Sequence, residues 1–286
     1  MSPIAIITDT DSSIPGDVAT RYDIRQVPIN LHFGDETLRA CVDIDDAGLF
    51  ARVDRGEPYP TSSAPSPGQF AEAYQDAFEA GSEAIVCFTV SGAVSATYNA
   101  AVNACEIFPG REIRVVDSRT LAMGQGFMVL AAAEAAEAGA SADEIVAHAL
   151  AVRERTHVYA ALSTLTYLAK SGRVDHLTAG VANLLNVKPV LTVRDAKLDM
   201  LERVRTHSKA WRRVIQLTQQ ATAGRPIERM AILHINALED AHQFREQLCA
   251  RLTCPDEVMV TALTPGLSLF GGNGFVGVVT VSGESR

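Results

Sequence analysis

No uninterrupted apolar run in the 286-residue chain approaches the ~18 residues that a spanning helix needs, so no membrane span is expected. The opening residues, Met1-Ser2-Pro3-Ile4, have no basic segment and lead straight into strand-like sequence. A signal peptide is therefore not expected, and the cytoplasm is the expected location. Cysteine is scarce. Cys41, Cys87, Cys105, Cys249 and Cys254 are scattered, odd in number and free of any C-x-x-C pair, which argues against a disulfide framework or a zinc site. The seven histidines are dispersed, with no two at helical metal-ligand spacing beside a carboxylate. A net charge of -9 leaves little to neutralise phosphates, so no nucleic-acid partner is expected. Neither Gly-x-x-x-x-Gly-Lys-Ser/Thr nor Gly-x-Ser-x-Gly occurs, which leaves a P-loop and a hydrolase elbow unsupported. Gly272-Asn273-Gly274-Phe275-Val276-Gly277 does match Gly-x-Gly-x-x-Gly, but it runs into an apolar strand with too little chain beyond it for a dinucleotide site. No cofactor is expected.

Hydrophobic residues are abundant, at 47%, enough for a sizeable core and an apolar cavity in a chain long enough for two domains. The first half alternates strands and helices. Ile4-Ala5-Ile6-Ile7, the run 84–90 and Ile113-Arg114-Val115-Val116 read as buried strands. Ser66-Pro67-Gly68-Gln69 and Ser141-Ala142-Asp143-Glu144 read as capping boxes, and Gly81 and Gly139 as helix stops. This order predicts a parallel, doubly wound sheet. Near Thr156 the pattern changes. Val158 to Leu162 reads as a strand, and 187–193 with 198–205 reads as a hairpin about Arg194-Asp195-Ala196-Lys197. Strands over 230–235, 257–261 and 275–281 follow, with helices at about 209–223 and 239–252. The expected organisation is an α/β domain over 1–156 and an α+β domain over 157–286.

Two loops stand out. Ser91-Gly92-Ala93-Val94-Ser95-Ala96-Thr97-Tyr98 follows the strand 84–90 and opens a helix running to about Ile107. Ser95 sits where an N-cap belongs, so its hydroxyl and the N–H groups of Ala96 and Thr97 would converge on one point. Such a helix end binds anions, and in an open α/β sheet it lies where ligands usually sit. Plain capping explains the same serine. In Pro60-Thr61-Ser62-Ser63-Ala64-Pro65-Ser66 the last serine serves as a cap, which leaves Thr61, Ser62 and Ser63 to face a ligand or to form an ordinary polar turn. A third feature is basic: Arg203, Arg205, His207, Lys209, Arg212 and Arg213 cluster in eleven residues, as a solvated face or a docking surface.

Taken in order, these segments resemble the DegV family of fatty-acid-binding proteins over nearly the whole chain. Ile6-Ile7-Thr8-Asp9-Thr10 is similar to the family's strand and Thr-Asp-Ser turn, and Ser62-Ser63-Ala64-Pro65-Ser66-Pro67 to its Thr-Ser-Gln-Pro-Ser-Pro segment. Ser91 to Tyr98 resembles Ser-Ser-x-Leu-Ser-Gly-Thr-Tyr. Asp117-Ser118 with Gly124-Gln125-Gly126 resembles an Asp-Ser turn followed by a Gly-x-Gly helix. Leu165 to Arg173 resembles Leu-x-x-Leu-x-x-Gly-Gly-Arg, Leu184 to Pro189 resembles Leu-Leu-x-x-Lys-Pro, and Val204-Arg205-Thr206 matches Val-Arg-Thr.

The resemblance implies two α/β domains with an acyl chain at their junction, and a carboxylate held by Ser62 and Ser95. Thr61, Ser63, Ala96, Thr97 and Phe270 are implied as secondary contacts. The aliphatic side chains of 124–133 and 177–191 are read either as lining of such a cavity or as ordinary core. It further implies a long-chain fatty acid as ligand, a separate fatty-acid kinase as partner with Arg173 and Arg205 on the docking side, and no nucleophile in the chain itself. Four departures bear on this. The family's loop threonine is Ser62, the Gln of Thr-Ser-Gln-Pro is Ala64, the glycine after its second serine is Ala96, and its His-x-Gly-Pro-Gly reads Phe270-Gly271-Gly272-Asn273-Gly274. With no histidine there, delivery to a kinase is the less supported half of the implied role. Two other readings stand beside a carrier: an interaction protein with a vestigial pocket, and an acyl hydrolase or transferase using Ser62 or Ser95, which would need a base within hydrogen-bond reach.

Overall fold

A computed structural model describes residues 3–170, 187–222 and 224–284. The chain divides into two compact units, residues 1–44 with 62–154 and residues 45–61 with 155–286. Composition does not announce the excursion over 45–61.

The first unit begins with β1 (Ile4–Asp9), a 3-10 turn (Thr10–Ser12), α1 (Gly16–Arg21), β2 (Arg25–Val27), β3 (Asn30–Phe33) and β4 (Glu36–Arg39). After the excursion, which carries α2 (Asp46–Asp54), it resumes with β5 (Thr61–Ser63) at the crossing point and α3 (Pro67–Glu79). Next come β6 (Ala84–Thr89), α4 (Thr97–Ala104), β7 (Glu112–Asp117), α5 (Met123–Glu137) and α6 (Ala142–Glu154).

β2, β1, β6 and β7 form a parallel sheet in that order. All six residues of β6 are buried, as expected of a strand covered on both faces. Ile7, Ile85 and Cys87 meet Phe70, Tyr74 and Ala77 of α3 and Ala101 and Ala104 of α4. Alternation turns Ile6, Val86 and Phe88 to the opposite face, and α5 packs against β1 and β6. The apolar run of 124–133 in α5 is buried throughout. Both expected capping boxes form. Ser66 Oγ accepts from Gln69 N while Gln69 Oε1 accepts from Ser66 N, and Ser141 pairs with Glu144 in the same way.

The second unit adds β8 (Thr156–Ala161), α7 (Thr166–Lys170), β9 (Lys188–Arg194), β10 (Lys197–Val204) and α8 (His207–Ala221). These are followed by β11 (Ile227–Ile235), α9 (Leu238–Cys249), β12 (Val258–Ala262), α10 (Pro265–Gly271) and β13 (Phe275–Ser282). Its mixed sheet runs β10-β9-β8-β13-β11-β12, with β11 and β12 parallel and the other neighbours antiparallel. The hairpin forms where expected, with Asp195 and Ala196 both at positive φ (50° and 65°), as a type I′ turn requires. The Gly-x-Gly-x-x-Gly match becomes the entry to β13. Gly272 (φ +71°) lies so close to Tyr167 that a Cβ there would fall 2.1 Å from the ring. Trp211 of α8 packs edge-on against Phe244 of α9, with ring centroids 5.5 Å apart. Residues 45–61 are fastened to α10. Ser268 Oγ donates to Asp46 Oδ2 at 2.8 Å, and the Tyr59 hydroxyl donates to the Leu269 carbonyl. Burial pushes the Asp46 carboxyl up to about 7, against the lowering effect of the Ser268 bond.

One expectation from the cysteines is corrected. Cys249 and Cys254 form a disulfide. Cys249 ends α9, and the chain reverses directly after it, so a five-residue spacing with no C-x-x-C signature brings the two sulfurs together. Cys41, Cys87 and Cys105 take no part in a disulfide, and Cys87 lies in the core as its apolar setting implies. Among the described residues, no helix is long and apolar enough to cross a membrane, and no cluster of His, Cys, Asp and Glu could hold a metal ion.

Candidate functional site

Strand order locates the crevice. From β1 the chain goes first to β2 on one side and later to β6 and β7 on the other, so the topological switch falls between β1 and β6. Ligands of open α/β sheets bind beyond the carboxyl ends of the strands at such a point. Two segments meet there, Asp9–Ser13 after β1 and Val90–Ser95 after β6.

The polar side chains gathered at this point are deeply buried. Thr8, Asp9, Ser12, Ser13, Thr89, Ser91, Thr97, Ser118 and Gln125 are all between 0% and 1% exposed. Asp9 ties the segments together. Its Oδ2 accepts from Val90 N at 2.7 Å and from Gln125 Nε2 at 3.2 Å, and its Oδ1 accepts from Asp11 N at 2.9 Å. Gln125 also donates to Thr8 Oγ1 at 2.8 Å. Burial lifts the Asp9 carboxyl to about 6, and the bonds from Val90, Gln125 and Asp11 hold it below what burial alone would give. The hydroxyls of Ser12, Ser13 and Thr89 and the Gln125 carbonyl oxygen are buried without a hydrogen-bond partner among the described residues.

Half-buried Ser95 ends the turn that follows β6, but it is not the N-cap. α4 begins at Thr97 with Ala96 at the cap position. The turn over 91–95 shifts the helix start by one residue, because Val94 N and Ser95 N both bond to Ser91 O (3.1 Å each). The Ser95 hydroxyl sits 2.7 Å from Thr97 Oγ1 and accepts from Thr97 N at 3.3 Å. Thr97 N–H is therefore engaged inside the turn, and the expected convergence is a hydroxyl pair with one shared N–H. The helix continues as a 3-10 turn (Cys105–Ile107), ending where the sequence indicated. Asp117 holds the loop from the far side. Its Oδ1 accepts from Gly92 N at 3.0 Å and from Arg119 N at 2.9 Å. Gly92 is constrained there, since a Cβ would approach Asp117 Oδ2 to 3.1 Å.

The second hydroxyl segment is a strand rather than a loop. β5 lies beside β3 in a small sheet, β4-β3-β5. Ser63 Oγ meets His32 Nε2 at 2.9 Å, so Ser63 is engaged, whereas hydroxyl count alone left it open. Alternation puts Ser62 on the other face, shared with Leu31 and Phe33 (0% and 7% exposed). Ser62 is half-buried and Thr61 exposed. Ser62, Ser63, Ala96 and Thr97 belong with Ser95 to the first unit, whereas Thr61 and Phe270 belong to the second. Arg173 and the stretch 177–186 lie outside the described residues. Of the basic stretch, Arg203, Arg205, Lys209 and Arg212 are exposed, and Arg213 is paired with Glu202.

The sequence reading missed Asp9, Gln125 and His32. The first two sit in the Thr-Asp-Thr turn and the Gly-Gln-Gly helix, segments whose polar residues stand out only once both are seen to end up buried.

The class so defined is a two-unit α/β protein with a hydroxyl-lined crevice at the switch point of a parallel sheet. This chain belongs to the DegV family, whose sequence profile, described as that of an uncharacterised protein family, matches residues 3–283. A DegV domain-containing protein of Mycobacterium tuberculosis is 35% identical over 284 residues, 99% of this chain and 98% of the relative. One from Streptomyces coelicolor is 34% identical, covering 98% of each. Among solved structures, a DegV family protein from Thermus thermophilus described for its fatty acid binding has a TM-score of 0.89 and 31% identity, covering 99% of this chain and all of the other. DegV of Bacillus subtilis, described as a fatty acid binding protein, has a TM-score of 0.86 at 26% identity, over 99% of this chain and all of the other.

Proposed function

We propose that this protein is a non-catalytic carrier that holds a long-chain fatty acid through its carboxylate, with Ser62 and Ser95 as the principal contacts. The observation that carries the reading is the position of Ser95 at the switch point, its hydroxyl paired with Thr97 at 2.7 Å. The fatty-acid-binding relative from Thermus thermophilus, at 31% identity over 99% of the chain, supports the choice of ligand. Burying a carboxylate is costly unless it is hydrogen-bonded, and a serine–threonine pair answers that need. The acyl tail then contributes about 0.8 kcal/mol for each buried CH₂. Ala96 and Thr97 are secondary contacts in this reading.

A carrier role without catalysis accords with the partners of the Ser95 hydroxyl, a threonine hydroxyl and a backbone N–H, neither of them a base. The cytoplasm is the proposed location. A fatty-acid kinase is the proposed recipient, docking on the exposed surface around Arg205, with Arg173 outside the described residues.

Mass spectrometry of the organic extract of denatured protein tests the reading. An intact fatty acid that co-purifies, or that is retained after incubation with oleate, is the expected result. Absence of lipid after that incubation would sink the carrier, and an acyl adduct on a serine would replace it with an enzyme.

A further inference from the structure

Ser62 sits on a three-residue strand at the edge of a small sheet. Backbone pairing over so short a length is weak. Three side chains supply the rest. His32 bonds Ser63 Oγ through Nε2 and Thr37 Oγ1 through Nδ1, each at 2.9 Å. Asn30 is two residues earlier on β3 and so projects from the same face. Its Nδ2 donates to Ala64 O at 3.4 Å and to Gln69 Oε1 at 3.0 Å, and Gln69 Nε2 returns a bond to Asn30 Oδ1 at 3.3 Å. Gln69 is also the reciprocal member of the α3 capping box. One polar face of β3 thus grips residues 63–69 at three points, while its other face, Leu31 and Phe33, is core.

A hydroxyl beside an imidazole also describes a nucleophile with its base. The surroundings argue otherwise. The second imidazole nitrogen meets a threonine hydroxyl where a base would have an orienting carboxylate or carbonyl, and both Ser63 and Thr37 are exposed. Either tautomer satisfies the arrangement, with one hydroxyl donating to the ring and the other accepting from it. The cluster is a clasp.

We infer that His32 is a positioning residue for the fatty-acid carboxylate site, holding Ser63 so that the adjacent Ser62 hydroxyl is presented from the opposite face of β5. The inference rests on the reading of Ser62 as a carboxylate contact. It gives the site, otherwise without a histidine at position 270, a histidine that acts through the strand rather than on the ligand.

Displacement of a fluorescent long-chain fatty acid by oleate tests it on the full-length protein. His32→Ala is expected to weaken oleate about five- to tenfold, the size of one lost hydrogen bond. Thermal unfolding should move little, since the ring is partly exposed. His32→Gln, whose amide can reach Ser63 from the Nε2 position, should restore most of the affinity. Ser63→Ala should weaken binding to the same degree, and the double variant should be no weaker than either single one, as expected for partners in one bond. If Ser62→Ala weakens binding and His32→Ala does not, the inference is overturned alone. If Ser62→Ala leaves affinity unchanged, the reading it rests on falls and the inference with it.

Discussion

Gln125 and Asp9, 116 residues apart, meet through a 3.2 Å hydrogen bond buried at the carboxyl ends of β1 and β6. The carboxylate also receives the N–H groups of Val90 and Asp11, so one side chain fixes both segments that border the crevice. Asp9→Ala would leave those two N–H groups without an acceptor. The expected cost is roughly 2 kcal/mol, two orphaned donors partly offset by removal of a buried charge. Urea unfolding measures it. Oleate affinity should fall as well, because Val90 begins the turn that carries Ser95.

Ser95→Ala separates the two roles of that hydroxyl. Its structural share is one acceptor for Thr97 N–H, worth no more than ~1 kcal/mol of stability. Its share in binding, as a direct carboxylate contact, should be about tenfold in affinity or more. Unfolding and oleate titration on the same sample distinguish these. Unchanged affinity would leave Ser95 as a turn residue only.

Gly126 of α5 crosses the 3-10 turn with no room for a side chain. A Cβ there would stand 2.8 Å from Ser12 O and 2.7 Å from Met123 Sδ. The thioether can move, but the backbone carbonyl cannot without displacing the turn. Gly126→Ala should therefore cost ~1–3 kcal/mol, more than the up to ~1 kcal/mol that alanine gains in a helix interior. Denaturant titration reads the balance, and a net stabilisation would mean the turn yields freely.

The Asp46 carboxyl predicts a pH effect. Its value is raised from 3.8 to about 7, so the folded state holds the proton longer than the unfolded chain does. Linkage then makes this group's contribution fall as pH rises from about 4 to about 7, at roughly 1.4 kcal/mol for each unit of separation. Asp46→Asn keeps an acceptor for Ser268 and removes the titration. The variant should gain on the native protein between pH 5 and pH 8, measured by unfolding at both values. An equal difference at the two would show that the carboxyl titrates alike folded and unfolded.

Elements whose signal is local were legible in the sequence. β1 and β6 open on apolar runs, and β7 shows Ile113, Val115 and Val116 around Arg114. The expected burial of β7 is not met, because it is an edge strand with no buried residue. The α3 and α6 boxes are spelled out in four residues each, and the 195–196 turn stands between two strand-like stretches. What stayed hidden depends on partners far along the chain. Thr61-Ser62-Ser63 has no apolar alternation and reads as a loop, and it becomes a strand through β3, about thirty residues away. The Ser95 turn took the helix start one residue further because of Ser91 O, a bond no propensity records. The Cys249–Cys254 pair depends on the reversal after α9. The buried polar cluster was present as ordinary turn residues, and only the sheet order shows that they converge.

The excursion over 45–61 has a practical corollary for dissecting the protein. The chain passes between its two units at three places, near 44–45, 61–62 and 154–155. A single cut at the middle of the sequence therefore yields no clean half. A fragment ending near 154 would carry α2 and Tyr59 without Ser268 and Leu269, the groups they bond. The other fragment would expose the side of α10 that those residues cover. Expressing the first unit by itself calls for joining 44 to 62 with a short linker, and that joint falls immediately before Ser62.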